Sequence, residues 1–236
     1  MVNHLQEQVA RRLAEVRGRI DVAAVRAGRL PESVRLVAVT KYAIPADGMI
    51  EALLAAGCRD LGESRPQALL EKSRLFDRSH PDEVCWHLIG SLQKNKIRKI
   101  LPRIALIHSI DSLSLAEAID RIAEEERIET VHGLLEVNIS GDVTKHGFMP
   151  DAIGKVIEPL RNLRHLKIDG LMGMGGLYSD PDQVRAEFAA IRRLAALIPE
   201  SDTVAMRELS MGMSDDFEIA VEEGATLLRL GSVLYV

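Results

Sequence analysis

The chain has 236 residues, 47% hydrophobic and 28% charged, with a formal net charge of −5. This length suits one large α/β barrel or two small domains, and the composition describes a soluble globular protein. The acidic balance speaks against a general nucleic-acid binder, and no run reaches the roughly 18 apolar residues that a membrane span needs.

The N-terminal stretch MVNHLQEQVARRLAEVRGRIDVAAVRAG carries charges throughout and lacks the apolar core of a signal peptide, so a cytoplasmic location is expected. Leu5, Val9, Leu13, Val16 and Ile20 recur at spacings of three and four, which predicts an amphipathic helix within residues 1–30 that covers another surface. VRLVAVT (34–40) then reads as a strand buried on both faces, the pattern of a parallel sheet. Further strands are predicted at 58–63, 85–90, 105–110, 133–139, 166–174, 207–213 and 227–232. Between them run helical patterns: a stripe of Met49, Ile50, Leu53 and Leu54 closed by Gly57, then 113–126, 152–160 and 183–197. A last helix is expected within SDDFEIAVEEG, with Ser214 as its N-cap and Gly224 at its end. Cys58 and Cys85 fall in apolar runs and read as buried free thiols in a reducing compartment.

Eight short apolar strands separated by helices predict a single domain over residues 1–236. Its architecture is a parallel (β/α)8 TIM barrel with an extra N-terminal helix, an open doubly wound sheet being the alternative. Barrels of this kind gather functional groups at the C-terminal ends of their strands. Those ends bear Lys41, Glu63, Ser64, Ser91, Asp111 and Asn138, then Ser210, Met211, Met213 and Ser214, and finally Arg229, Gly231 and Ser232. The loops SMGMSDDF and RLGS combine glycines, hydroxyls and an expected helix start, features that suit a phosphate where barrels commonly bind one. Lys41 and Arg229 lie on the first and eighth strands, neighbours in a closed barrel. Two like charges there suggest an anionic ligand and a lysine held as the neutral amine that Schiff-base formation requires. Together these groups suit pyridoxal phosphate.

No metal-ligand spacing appears among the histidines, and His87 in CWHLIG reads as a packed or hydrogen-bonded residue. KNKIRK (94–99) reads as the solvated face of a helix, Lys145 as a solvated loop lysine, and the methionines of LMGMGGL and LSMGM as adaptable packing.

The segments LVAVTK, LGESRPQ, WHLIGSLQKNK, LLEVNIS, GLMGM and LSMGMSDDFEIAVEEGATLLRLGS occur in the order and spacing of one family. From about residue 34 to 235 the chain resembles the pyridoxal phosphate homeostasis proteins (YggS/PROSC type). The resemblance implies a barrel like the N-terminal domain of alanine racemase, with Lys41 as the Schiff-base lysine. Ser214, Gly231, Ser232 and backbone groups of Met213 would hold the phosphate, Arg229 would face the pyridine nitrogen, and Ser210 and Met211 would line the pocket. Ser64 stands where the family usually has asparagine, Ser91 where it has histidine, and Tyr235–Val236 where it closes with Phe-Gly. The resemblance further implies a carrier that helps control free pyridoxal phosphate without turnover. Pyridoxal-phosphate-dependent apo-enzymes are candidate recipients, and the chain is expected to be a monomer. A racemase-like enzyme is the alternative, but a racemase needs a base on each face of the substrate carbon, and Tyr42, Tyr178 and Tyr235 offer no obvious second one. A lysine aldolase on a phosphosugar barrel is more remote.

Overall fold

Every apolar run expected as a strand becomes one in the computed structural model, which describes residues 2–44, 47–79, 84–141, 146–176 and 180–235. The strands are β1 (Arg35–Val39), β2 (Asp60–Glu63), β3 (Cys85–Leu88), β4 (Leu106–Ile110), β5 (Val131–Val137), β6 (Leu166–Gly173), β7 (Val204–Ser210) and β8 (Leu227–Leu230). They pair in parallel, in sequence order, and β8 closes on β1 with Val37 opposite Arg229 and Ala38 opposite Leu230. Closure leaves no edge strand, and it sets both faces of each strand against protein. The inner face holds a small apolar cluster of Val37, Leu106, Leu134, Met172 and Leu227, while a much larger core fills the space between sheet and helices.

The helices are α1 (Val2–Arg26), α2 (Met49–Ala55), α3 (Pro66–Ser79), α4 (Ile97–Ile100), α5 (Leu113–Glu125), α6 (Pro150–Arg161), α7 (Pro181–Ala196) and α8 (Phe217–Glu222). The first of these buries Val9, Leu13, Val16 and Ile20, each side chain worth about 1.5–3 kcal/mol of apolar burial. Arg19 of α1 pairs with Glu218 at 2.9 Å and lies 4.5 Å from the Phe217 ring, which fixes α1 against α8. Gly28, with φ +69°, ends that helix, and the Arg29 N–H bonds back to the Ala24 carbonyl at 2.9 Å. Gly57 (φ +78°) ends α2 in the same way, as its position in the sequence predicts.

Three expectations change, and one helix appears that the sequence patterns did not predict. The seventh strand runs Val204–Ser210 rather than 207–213, because Gly212 adopts φ +87° and turns the chain out of the sheet. Helix α3 follows β2 although its charges mask the buried Leu69, Leu70, Ser73 and Phe76. Of the two cysteines only Cys58 is buried; Cys85 opens β3 at the N-terminal rim and is exposed. KNKIRK forms a 3-10 turn over Lys94–Lys96 before the short α4, with Lys94, Arg98 and Lys99 exposed. Lys145, Tyr178 and Val236 lie outside the described residues. No helix among the described residues is long and apolar enough to cross a membrane.

Candidate ligand site at the C-terminal mouth of the barrel

The chain leaves β1 through Thr40 into a turn at Lys41 and Tyr42. Lys41 is exposed, its ammonium 4.8 Å from the centre of the Tyr42 ring. The backbone beneath it is held by three side chains from elsewhere. The Val39 carbonyl accepts from the Tyr235 hydroxyl at 2.5 Å, the Thr40 carbonyl from Lys72 Nζ at 2.5 Å, and the Lys41 carbonyl from Arg65 Nη2 at 3.3 Å. Burial pushes the Tyr235 hydroxyl well above the ordinary phenol range, so it remains a donor.

Lys72 also meets Glu63 at 2.6 Å, both side chains being buried. Glu63 Oε1 in turn accepts the N–H groups of Ser64 and Arg65 at 2.8 and 3.1 Å and the Ser64 hydroxyl at 3.4 Å. The β2 corner is thereby locked to the β1 end. Gly90 packs so tightly here that a Cβ would stand 2.3 Å from the Ser64 carbonyl oxygen. Ser64 and Ser91 line an open cleft of about 610 Å³ with Arg65, Gln67, Glu71 and Gln93.

On the adjacent strand Arg229 is buried inside the barrel. Its Nη1 donates to the Ser210 carbonyl at 2.7 Å and hydroxyl at 2.5 Å, and its Nη2 donates to the Gly173 carbonyl at 3.0 Å. Burial pushes the guanidinium down to about 10, with the carboxylates of Asp216 and Glu136 opposing the fall, so it keeps its charge at neutral pH. Glu136 is raised by burial and by the charge of Asp111, against His146 and Arg229. Burial likewise raises Asp216, against the Met213 N–H and Arg229.

The loops after β7 and β8 meet at Ser214. Its Oγ accepts the backbone N–H groups of Gly231 and Val233, both at 3.3 Å, and a turn closes from the Leu234 N–H to the Gly231 carbonyl at 2.8 Å. Two donors thus converge on one neutral hydroxyl at the long end of hydrogen-bond range, where a charged oxygen would be bonded better. That cradle of two backbone N–H groups, in the loop that follows Arg229, fits a phosphate ester. Ser214 is not the N-cap it was expected to be: Asp216 holds that position, and its carboxylate accepts the Met213 N–H at 2.6 Å. Ser232 is exposed next to the cradle, as is Met213.

The structure therefore gathers Ser214, Gly231 and Ser232 at one corner, with Ser210 and Arg229 in the barrel interior and Lys41 and Ser64 on the first two strand ends. Met211 does not join them, for its side chain is buried in the main hydrophobic core. The Met213 N–H is already committed to Asp216. Lys72, His108, Glu136 and Tyr235 were not singled out as site residues from sequence. Of these only Glu136 carries a local signal, a carboxylate inside the apolar run GLLEVNI.

The alanine racemase N-terminal domain profile matches residues 11–236. An alanine racemase of Clostridium difficile superposes with a TM-score of 0.69 at 15% identity, over 97% of this chain and 56% of that one, a likeness of fold. Fold and profile together define a barrel of the alanine racemase N-terminal class. Within that class, the pyridoxal phosphate homeostasis protein of Synechocystis is 41% identical over 206 residues, 87% of this chain and 92% of that protein. PipY of Synechococcus elongatus, solved with PLP bound, superposes with a TM-score of 0.82 at 37% identity, over 97% of this chain and all of that one (100%). The chain belongs to the family of pyridoxal phosphate homeostasis proteins.

Proposed function

We propose that this protein binds pyridoxal 5'-phosphate and takes part in controlling its free level, as a single barrel domain over residues 1–236 without catalytic turnover of its own. The observation that carries this reading is the convergence of the Gly231 and Val233 N–H groups at Ser214, next to the buried Arg229 and the turn bearing Lys41. Bound cofactor would supply an aldehyde that an amine can capture and a ring that withdraws electrons. Lys41 is the amine for that capture. Ser214 and Ser232, with the Gly231 backbone, hold the phosphate, and Arg229, with Ser210 behind it, faces the ring nitrogen. The fixed charge of Arg229 disfavours a proton on that nitrogen, which weakens the ring as an electron sink.

The carrier reading is favoured over a racemase by the two described tyrosines. Tyr235 donates its hydroxyl proton to the Val39 carbonyl and is held there by burial, so it is a brace rather than a base. Tyr42 lies exposed on the same turn as Lys41. The protein is proposed to act in the cytoplasm as a monomer, with pyridoxal-phosphate-dependent apo-enzymes as candidate recipients.

Borohydride reduction of the loaded protein followed by peptide mapping should place the pyridoxyl group on Lys41. An adduct mainly on another lysine would reject the assignment. Replacing Ser214 and Ser232 together by alanine should weaken pyridoxal phosphate far more than unphosphorylated pyridoxal, and equal losses would put the phosphate elsewhere. Amino-acid turnover on the order of 1 per second or faster would overturn the carrier reading.

A further inference from the structure

A line of buried side chains crosses the barrel interior and ends on Arg229. It starts at Asp60, the first residue of β2, on the N-terminal rim, where Arg35 and Glu208 pair at 2.6 Å close by. Asp60 Oδ1 lies 2.9 Å from His87 Nε2, and His87 Nδ1 lies 2.9 Å from His108 Nε2. His108 Nδ1 is 2.8 Å from Ser210 Oγ, which receives Arg229 Nη1 at 2.5 Å. His87, His108, Ser210 and Arg229 are all buried.

The two ends fix the direction of every link when both imidazoles are neutral. A guanidinium only donates, and an ionised carboxylate only accepts. Burial pushes Asp60 up, but the His87 hydrogen bond and the charge of Arg35 outweigh it and hold the carboxyl below its ordinary range. His87 must therefore carry its proton on Nε2, which leaves Nδ1 bare. His108 then has to donate from its own Nε2, and its bare Nδ1 accepts the Ser210 proton. With its hydrogen drawn away, the Ser210 oxygen turns its lone pairs to Arg229. Burial first, and then the charges of Arg229 and Arg35, keep His108 neutral, as the line requires. The opposite tautomer of His108 would point an N–H at Ser210 and leave the hydroxyl hydrogen without an acceptor beside a cation.

We propose that Asp60, His87 and His108 are positioning residues for Arg229: they fix both imidazoles as Nε2–H tautomers and hold the Ser210 oxygen as an acceptor for the guanidinium. The structural claim stands on the geometry of the line, and its meaning for the ligand rests on the proposed placement of Arg229 at the ring nitrogen.

Imidazole nitrogen NMR of isotope-labelled protein, without pyridoxal phosphate, should find Nε2 protonated and Nδ1 bare on both His87 and His108 at neutral pH. A proton on His108 Nδ1, or a charged ring at either position, would overturn the proposal. In the loaded protein, His108→Leu should shift the ring-nitrogen signal of labelled pyridoxal phosphate and broaden the Arg229 side-chain signals. His108→Gln, whose amide offers one acceptor and one donor, should bring both back towards the parent. Unchanged Arg229 signals in His108→Leu would also overturn it, and if that variant fails to fold the parent tautomers decide alone. An Arg229→Leu variant that leaves the ring-nitrogen signal unmoved rejects the ligand placement, whereas the tautomers judge the line independently.

Discussion

Lys72 and Arg229 are two cations equally withdrawn from solvent, each 4% exposed, yet they are housed in opposite ways. Lys72 meets the Glu63 carboxylate at 2.6 Å and caps the Thr40 carbonyl, so its charge is cancelled where it stands. The described hydrogen bonds of Arg229 all go to neutral oxygens, of Ser210 and Gly173, and the carboxylates of Asp216 and Glu136 act on it only from a distance. Burying a charge is tolerable only with compensation, and the manner of compensation decides what the charge can still do. A cation neutralised by contact is a brace. One held by neutral acceptors keeps a field that an incoming ligand can feel.

The largest test of this contrast is Lys72→Met, which leaves Glu63 buried without its partner and uncaps Thr40. A loss of about 3–5 kcal/mol in urea unfolding is expected, as for other broken buried pairs. A loss within experimental error would mean that Lys72 is no brace. Arg229→Met comes next. It removes a charge that no carboxylate touches but strands the Ser210 and Gly173 carbonyls, so a smaller loss, about 1–3 kcal/mol, is expected. A loss exceeding that of Lys72→Met would reverse the ordering and end the comparison.

The smallest effect lies at Glu136, whose carboxyl is raised chiefly by burial and next by Asp111. A carboxyl that titrates higher in the folded state favours folding below its unfolded pKa, and it loses that contribution as pH rises through the folded value. Glu136→Gln should therefore be more stable than the parent at neutral pH, with the difference closing in acid. Thermal unfolding across that range reads it directly, and equal melting points at neutral pH would contradict it.

The barrel was legible because parallel strands buried on both faces are written as short apolar runs, and the helix-ending Gly57 and Gly224 mark their turns. Lys41 and Arg229 stood out as charges at the ends of such runs. The bracing of the site did not, for physical reasons. A lysine in a charged helix such as α3 reads as solvated, and nothing local tells that Lys72 turns inward to a carbonyl 32 positions earlier. The Tyr235 hydroxyl reaches Val39 across 196 positions, beyond any periodicity. Ser214 has the residue type and place of an N-cap, but the helix starts later, and only the fold shows its hydroxyl serving the loop after β8. Met211 lies in the same short stretch as Ser210 and Ser214, yet it faces the outer core.

The closure of β8 on β1, with Tyr235 tied to Val39, has a consequence in time rather than space. During synthesis the segment bearing Lys41 emerges before the six strands β2 to β7, while Arg229, Gly231 and the tyrosine that braces the first strand come only after them. The proposed ligand site therefore cannot be assembled piecemeal: a nascent chain exposes Lys41 long before it owns a pocket. With the ligand placed as proposed, its capture is coupled to the closing of β8 on β1, a long-range step of the kind that topology makes slow.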